Sequence, residues 1–175
     1  MQKNWYMVYT KPKFEKKVAA SLTKRKIENF FPVNCKQISS IRRIKLHYEP
    51  LFECYVFVNI AETDVSKIKT IDGVVNLVYW KGQPATVKDE EIEVIKEFST
   101  DYQNIQVEKS KVNINDVARA IDGSRYSMAG NILTIKNTTV KVNLPSLGFS
   151  LIANVDTKNT LHHGAFGEKD LVLQS

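Results

Sequence analysis

Cysteine, histidine, proline and glycine are all scarce in this 175-residue chain, at 2, 3, 5 and 7 residues. The two cysteines, Cys35 and Cys54, make no disulfide framework and lack metal-ligand spacing, so a cytoplasmic protein with reduced thiols is expected. So few glycines and prolines exclude a low-complexity chain, and 43% hydrophobic residues exclude a disordered one. The longest apolar runs are a few residues, against the roughly 20 that a bilayer-spanning helix needs, so no membrane partner is expected. Nor does an apolar signal-peptide core follow Lys3.

Catalytic signatures are missing as well. The chain has no phosphate-binding loop, dinucleotide fingerprint, nucleophile elbow or zinc-protease histidine pair. His162 and His163 adjoin in a glycine-containing tail and make a weak metal signal, while His47 reads as structural. Asp89, Glu90, Glu91 and Glu93 cluster, but a helix N-terminus favours acids there without acid–base work. No enzyme, cofactor or metal site is expected.

What is present is positive charge, unevenly placed. Residues 1–48 carry 12 Lys/Arg and 2 acids, whereas residues 49–98 carry 5 bases and 10 acids. A basic block of that density suits a surface facing phosphates, and equally a solvated helix face.

Hydrophobic patterning gives the elements. Trp5–Thr10 reads as a strand, and Lys11-Pro12 as the opening of a helix. Phe14, Val18 and Leu22 make one apolar stripe on that helix, and its lysines fall largely off it. Asn29–Asn34 reads as a strand; Cys35–Ile38 and Ile44–Tyr48 read as hairpin arms with a basic tip at Arg42 and Arg43. Cys54–Ile60 is the strongest strand signal. A short helix with Val65, Ile68 and Ile71, a strand Val74–Trp80 and a helix carrying Ile92, Ile95 and Phe98 complete an α+β unit.

Residues 1–99 are therefore expected to form one domain and residues 100–111 a linker. Residues 112–156 carry β-rich runs (Val112–Ile121, Asn131–Lys136, Thr139–Leu144 and Ser150–Val155) expected to close into a small barrel. The tail 157–175 is unassigned. Alternation along Cys54–Ile60 puts the aliphatic residues on one face and Tyr55, Phe57 and Asn59 on the other. If helices cover only one face, the aromatics point to solvent and mark a protein-binding site; if both faces are covered, they are core.

The segments WYMVYTKPKFEKKVAASL, EPLFECYVFV, DGVVNLVYWKGQPATV and DEEIEVIKEF resemble, in that order, the N-terminal domain of NusG-type transcription elongation factors. The similarity is nearer to specialised RfaH/UpxY-type members than to housekeeping NusG. The C-terminal runs resemble the KOW barrel of that family. The resemblance implies a transcription antitermination factor that binds the clamp helices of bacterial RNA polymerase and suppresses pausing or termination, on particular long operons. It places Tyr55, Phe57, Trp80 and Tyr9 at the polymerase. Lys11, Lys17, Lys24 and Arg25, with the hairpin tip Arg42 and Arg43, would face upstream or non-template DNA through phosphate contacts. A housekeeping NusG and a ribosome-associated KOW-type RNA-binding protein are the alternatives.

Two segments depart from the family pattern. Asp64–Thr70 stands where RfaH has a His/Thr-rich polymerase contact, and Asp122–Gly130 keeps only the glycines of the usual KOW loop. A ribosomal protein or Rho is the partner that the KOW resemblance offers. Val/Ile/Thr-rich runs at Ile132–Ile135 and Thr138–Val142 favour strand, so a constitutive barrel is expected rather than a helical hairpin.

Overall fold

The central strand of the N-terminal sheet is β1 (Asn4–Thr10), paired antiparallel with β5 (Tyr55–Ile60) on one side and β6 (Val74–Leu77) on the other. The computed structural model describes residues 2–40, 43–109, 125–128, 131–136 and 139–154. The sheet order is β2-β5-β1-β6, with β2 at Glu28–Phe30 and a short β9 (Thr86–Val87) also pairing with β1. The β1–β5 register sets Met7 opposite Phe57 and Val8 opposite Val56. Successive residues therefore feed two separate cores.

On one face, Tyr6, Val8, Val56, Val58 and Ile60 pack with Val18 and Leu22 of α1 (Glu15–Lys24) and with Ile68 of α2 (Val65–Ile68). On the other, Trp5, Met7 and Phe57 pack with Ile92, Ile95 and Phe98 of α3 (Asp89–Asp101). Asp89, Glu90 and Glu91 fill the first turn of α3, where the helix dipole stabilises them.

A two-stranded ribbon, β3 (Val33–Ser40) with β4 (Arg43–Pro50), extends from the sheet. Its base is pinned by reciprocal bonds: Asn34 Nδ2 donates to Ile105 O at 2.8 Å, and Ile105 N donates to Asn34 Oδ1 at 3.0 Å. A second small hairpin joins β7 (Tyr79–Trp80) to β8 (Gln83–Pro84). Lys81 (φ 49°) and Gly82 (φ 82°) form its turn, and two positive φ values match the twist of a two-residue hairpin.

The C-terminal part is a five-stranded antiparallel sheet in the order β10-β14-β13-β12-β11. Its strands are β10 (Gln106–Lys109), β11 (Arg125–Met128), β12 (Asn131–Lys136), β13 (Thr139–Leu144) and β14 (Phe149–Asn154). Among the described residues no pairing joins β10 to β11. The span 100–111, expected as a linker, contains the end of α3 and all of β10, which gains its partner only from β14 far along the chain. This sheet also packs against the N-terminal one. Val140, Val142, Leu144, Leu151 and Ala153 belong to the same buried cluster as Trp5, Met7 and Phe57.

Other boundaries shift for local reasons. α1 begins at Glu15 rather than Pro12, because Lys13 adopts a left-handed φ of 66° that a helix excludes. The expected strand 29–34 breaks between Phe30 and Val33 at Pro32, which lacks a ladder donor. The expected strand 74–80 splits after Leu77, where β7 leaves β1 to pair with β8. The proposed strand Val112–Ile121, the tail 157–175 and the adjacent histidines lie outside the described residues.

Gly73 meets two demands at once. Its φ is 93°, and a Cβ there would lie 2.5 Å from Phe14 Cδ1, in the turn that also lets Lys11 N donate to Gly73 O at 2.8 Å. Gly73→Ala is expected to cost about 1–3 kcal/mol, a fall of several degrees in a thermal melt. An unchanged melting temperature would show that the turn relaxes without strain.

Candidate docking and nucleic-acid surfaces

Four aromatic positions were candidates for one exposed patch, and the structure divides them. Trp80 is 70% exposed and Tyr9 40%, Tyr55 is half-buried, and Phe57 is fully buried. Tyr9 and Tyr55 face each other across β1 and β5 with ring centroids 5.5 Å apart. Phe57 instead lies between Phe30 (6.1 Å, stacked) and Phe52 (5.7 Å, edge-on), and Phe52 in turn meets Phe149 of β14 at 5.8 Å. The expectation that Phe57 points to solvent is therefore corrected. Alternation sends it to the expected face, but α3 and the C-terminal sheet supply a second layer over that face. Tyr79, 41% exposed beside Trp80, has Lys69 Nζ 5.6 Å from its ring centroid and was not singled out from sequence.

Among the described residues, Glu91 and Ser146 make a polar tie across the seam between the two sheets. Glu91, 1% exposed, accepts the backbone N–H of Ser146 on Oε1 at 2.8 Å. Its Oε2 is buried with no hydrogen-bond partner among the described residues. Burial pushes the Glu91 carboxyl above its ordinary range, against the lowering effect of the Ser146 bonds.

The basic residues form more than one group. Lys11 and Lys17 place their ammonium groups 5.8 and 5.0 Å from the Phe14 ring centroid, so one ring gathers both. Lys17 also pairs with Asp72 at 2.7 Å, which holds that exposed carboxyl below its usual range. Such an exposed pair contributes little to stability. Arg25 Nη1 donates to Thr70 Oγ1 at 3.1 Å, tying the end of α1 to the end of α2. Lys24 is exposed in the last turn of α1. Arg43 is exposed on the ribbon, apart from the α1 group, and Arg42 lies outside the described residues. Asp72, the acid that competes for Lys17, was not recognised from sequence because it lies 55 residues away.

Among the described residues no group of three or more His, Cys, Asp or Glu could hold a metal ion, and no helix is long and apolar enough to cross a membrane. The Cys54 thiol is pushed up by burial and by the nearby Glu15 and Glu53 charges.

These features define a mixed α/β protein of mostly antiparallel sheets and few helices, with aromatic and basic surfaces suited to binding. The family model described as "Transcription termination factor nusG" matches residues 3–96, more than half of the sequence, and the chain belongs to the NusG family. Proteins named "Transcription termination/antitermination protein NusG" from Streptococcus pyogenes serotype M1 and serotype M18 (strain MGAS8232) are each 26% identical over 168 residues, spanning 88% of this chain and 93% of theirs. A solved structure titled "Domain interaction in Thermotoga maritima NusG" aligns at 22% identity and a TM-score of 0.49, covering 89% of this chain and 95% of that one.

Two outcomes check the division of the surface. Phe57→Ala should cost about 3–5 kcal/mol in denaturant unfolding and Trp80→Ala less than about 0.5, since only the first leaves a cavity. Comparable losses would contradict the burial assignment. For Glu91, the folded form holds its proton over a pH window in which the unfolded chain has already released it. Stability should thus fall as pH rises from the ordinary carboxylate range to the raised folded value, then level off. Melts of wild type and Glu91→Gln across about pH 4 to 8 should show that slope in the wild type and a flatter profile in the variant.

Proposed function

We propose that this chain is a specialised transcription antitermination factor of the RfaH/UpxY type, which rides on bacterial RNA polymerase and suppresses pausing or termination. Docking runs through the aromatic edge of Tyr9, Tyr55 and Trp80 onto the clamp helices of the polymerase. Phe57 supports that edge from within the core. The basic face of Lys11, Lys17, Lys24 and Arg25 lies toward upstream or non-template DNA, with Arg43 of the ribbon and its chain neighbour Arg42 as a second contact. Phosphate contacts of this kind position a protein without reading sequence. The C-terminal sheet is a KOW-type barrel module, which offers a surface to a ribosomal protein or Rho.

The observation that carries this reading is Trp80. A tryptophan 70% exposed on a projecting hairpin, with Tyr79 beside it, is an anchor of the type that dominates protein interfaces. The effect on transcription then needs no bond chemistry, only tighter binding to the elongating conformation of polymerase than to the paused one.

The test is binding of the full chain to core polymerase by wild type and by Tyr9→Ala/Trp80→Ala. Truncating an anchor of this type costs about 2 kcal/mol or more, so Kd should rise roughly 30-fold while a thermal melt still shows a cooperative transition. Equal retention of the variant would count decisively against the docking edge.

A further inference from the structure

The rest of the fold treats the two long edges of the β3–β4 ribbon differently. On the β3 side, Asn104 N donates to Cys35 O at 2.9 Å and Gln37 N donates to Asn104 Oδ1 at 3.0 Å, so the chain after α3 occupies that edge. Among the described residues β4 pairs with β3 alone. Its side chains are exposed on both faces: Arg43, Lys45 and His47 on one, Leu46 and Tyr48, at 44% and 65%, on the other. An edge strand with large apolar side chains standing in water is a template for pairing with another chain.

The hydrogen-bond pattern fixes which backbone groups that edge offers. Leu51 N donates to Pro32 O just below the ribbon, and bonded pairs alternate with unbonded ones along an antiparallel ladder. The bonded pairs are therefore Asn34–Glu49, Lys36–His47, Ile38–Lys45 and Ser40–Arg43. The outward groups of Cys35 and Gln37, which meet Asn104, follow the same alternation. On β4 the backbone N–H and C=O of Ile44, Leu46 and Tyr48 consequently point away from β3.

These groups match a second copy of the same strand. With Leu46 on a two-fold axis, antiparallel β4 strands set Ile44 opposite Tyr48, and every outward N–H meets a carbonyl of the other copy. The same register sets Arg43, at the tip, opposite Glu49, at the base, on both sides of the axis, since the strand is basic at one end and acidic at the other. Glu49 already meets Lys36 of its own ribbon, and Arg43 of the other copy adds to that pair. Leu46 and Tyr48 of both copies share one face of the joined sheet, where pairing removes part of their exposed area from water. Other registers fit less well. An axis at Lys45 opposes that lysine to itself, and an axis at His47 brings Pro50, which lacks an N–H, into the ladder. An axis between two residues faces outward groups with inward ones.

We infer that the β4 edge is a self-association site, at which two copies of this chain pair antiparallel about Leu46 and join their ribbons into one four-stranded sheet. The inference goes beyond the proposed function and stands without it. Where both hold they compete, because a ribbon whose Arg43 faces Glu49 of another copy is withheld from DNA. The span Arg43–Glu49 makes a small contact, of the size class that binds weakly, so Kd is on the order of 100 µM.

The test is sedimentation velocity of the full chain at about 0.1 M salt, from roughly 5 to 500 µM. Wild type should pass from monomer to dimer over that range. Leu46→Pro removes an outward N–H that the ribbon itself does not use, and should stay monomeric throughout. Arg43→Glu and Glu49→Arg should each weaken self-association roughly 5- to 30-fold by opposing like charges on both sides of the axis. An equimolar mixture of those two variants should regain the dimer, because each then meets the opposite charge on the other. Recovery in the mixture also shows that both variants are folded. A wild type that is still monomeric at the highest concentration overturns the site. So does a dimer that Leu46→Pro leaves intact, or a mixture no more associated than its components.

Discussion

Strict alternation along one antiparallel pair, β1 with β5, is the constraint from which the rest follows. Each strand carries apolar side chains on both faces, and the register matches like with like: Met7 with Phe57, Val8 with Val56, Tyr6 with Val58. A sheet of that composition cannot leave either face in water. α1 and α2 cover one face, where Val8, Val18, Leu22 and Val58 have no exposure. The opposite face is too wide for α3 alone, and β13 and β14 complete it with Val142, Leu144 and Leu151. A slip of one residue would exchange the two sets, so register and layer order are a single decision.

This arrangement makes the C-terminal sheet part of the N-terminal core. Its seam is mainly apolar, with Phe52 against Phe149, and its one described polar tie ends on a carboxylate with an unsatisfied oxygen. Burying a charged carboxylate in such a place is costly, and protonation relieves the cost. The seam therefore combines a broad non-directional attraction with one titratable weak point.

Much of the α+β unit was legible in the sequence because short-range rules decide it. The stripe Val18–Leu22, the acidic start of α3 and the alternation in Tyr55–Ile60 each need only local periodicity. Asn131–Lys136 and Thr139–Leu144 form strands over the residues that β-branched content indicated. The misses are long-range. The strand Gln106–Lys109 looked like polar linker because its pairing partner is β14, and Arg125–Met128 was hidden in a loop-like run. Phe57 was placed on the right face, yet its exposure depended on what covers that face, which no local pattern states. The same blindness applied to surfaces. Lys17 carries no mark of Asp72, since only the fold brings those residues together.

The proposed docking edge depends on rigidity as much as on exposure. A hairpin of two residue pairs is not stable by itself in water. β7 and β8 are held because Val78 N donates to Met7 O of the central strand at 2.8 Å, Ala85 N donates to Val78 O at 2.8 Å across the hairpin base, and β9 just beyond pairs with β1. Lys81 and Gly82 then need only complete a turn whose twist already suits the strands. Trp80 is thus presented on a fixed frame, with its backbone ordered before any partner arrives. Less conformational entropy is then lost on association, and more of the ring's burial appears as affinity. An aromatic residue on a frayed loop would have the same exposed area and a weaker grip. Position on the β1 scaffold, rather than hydrophobicity alone, is the reason to propose Trp80 as the centre of the edge, with the buried Phe57 as its support.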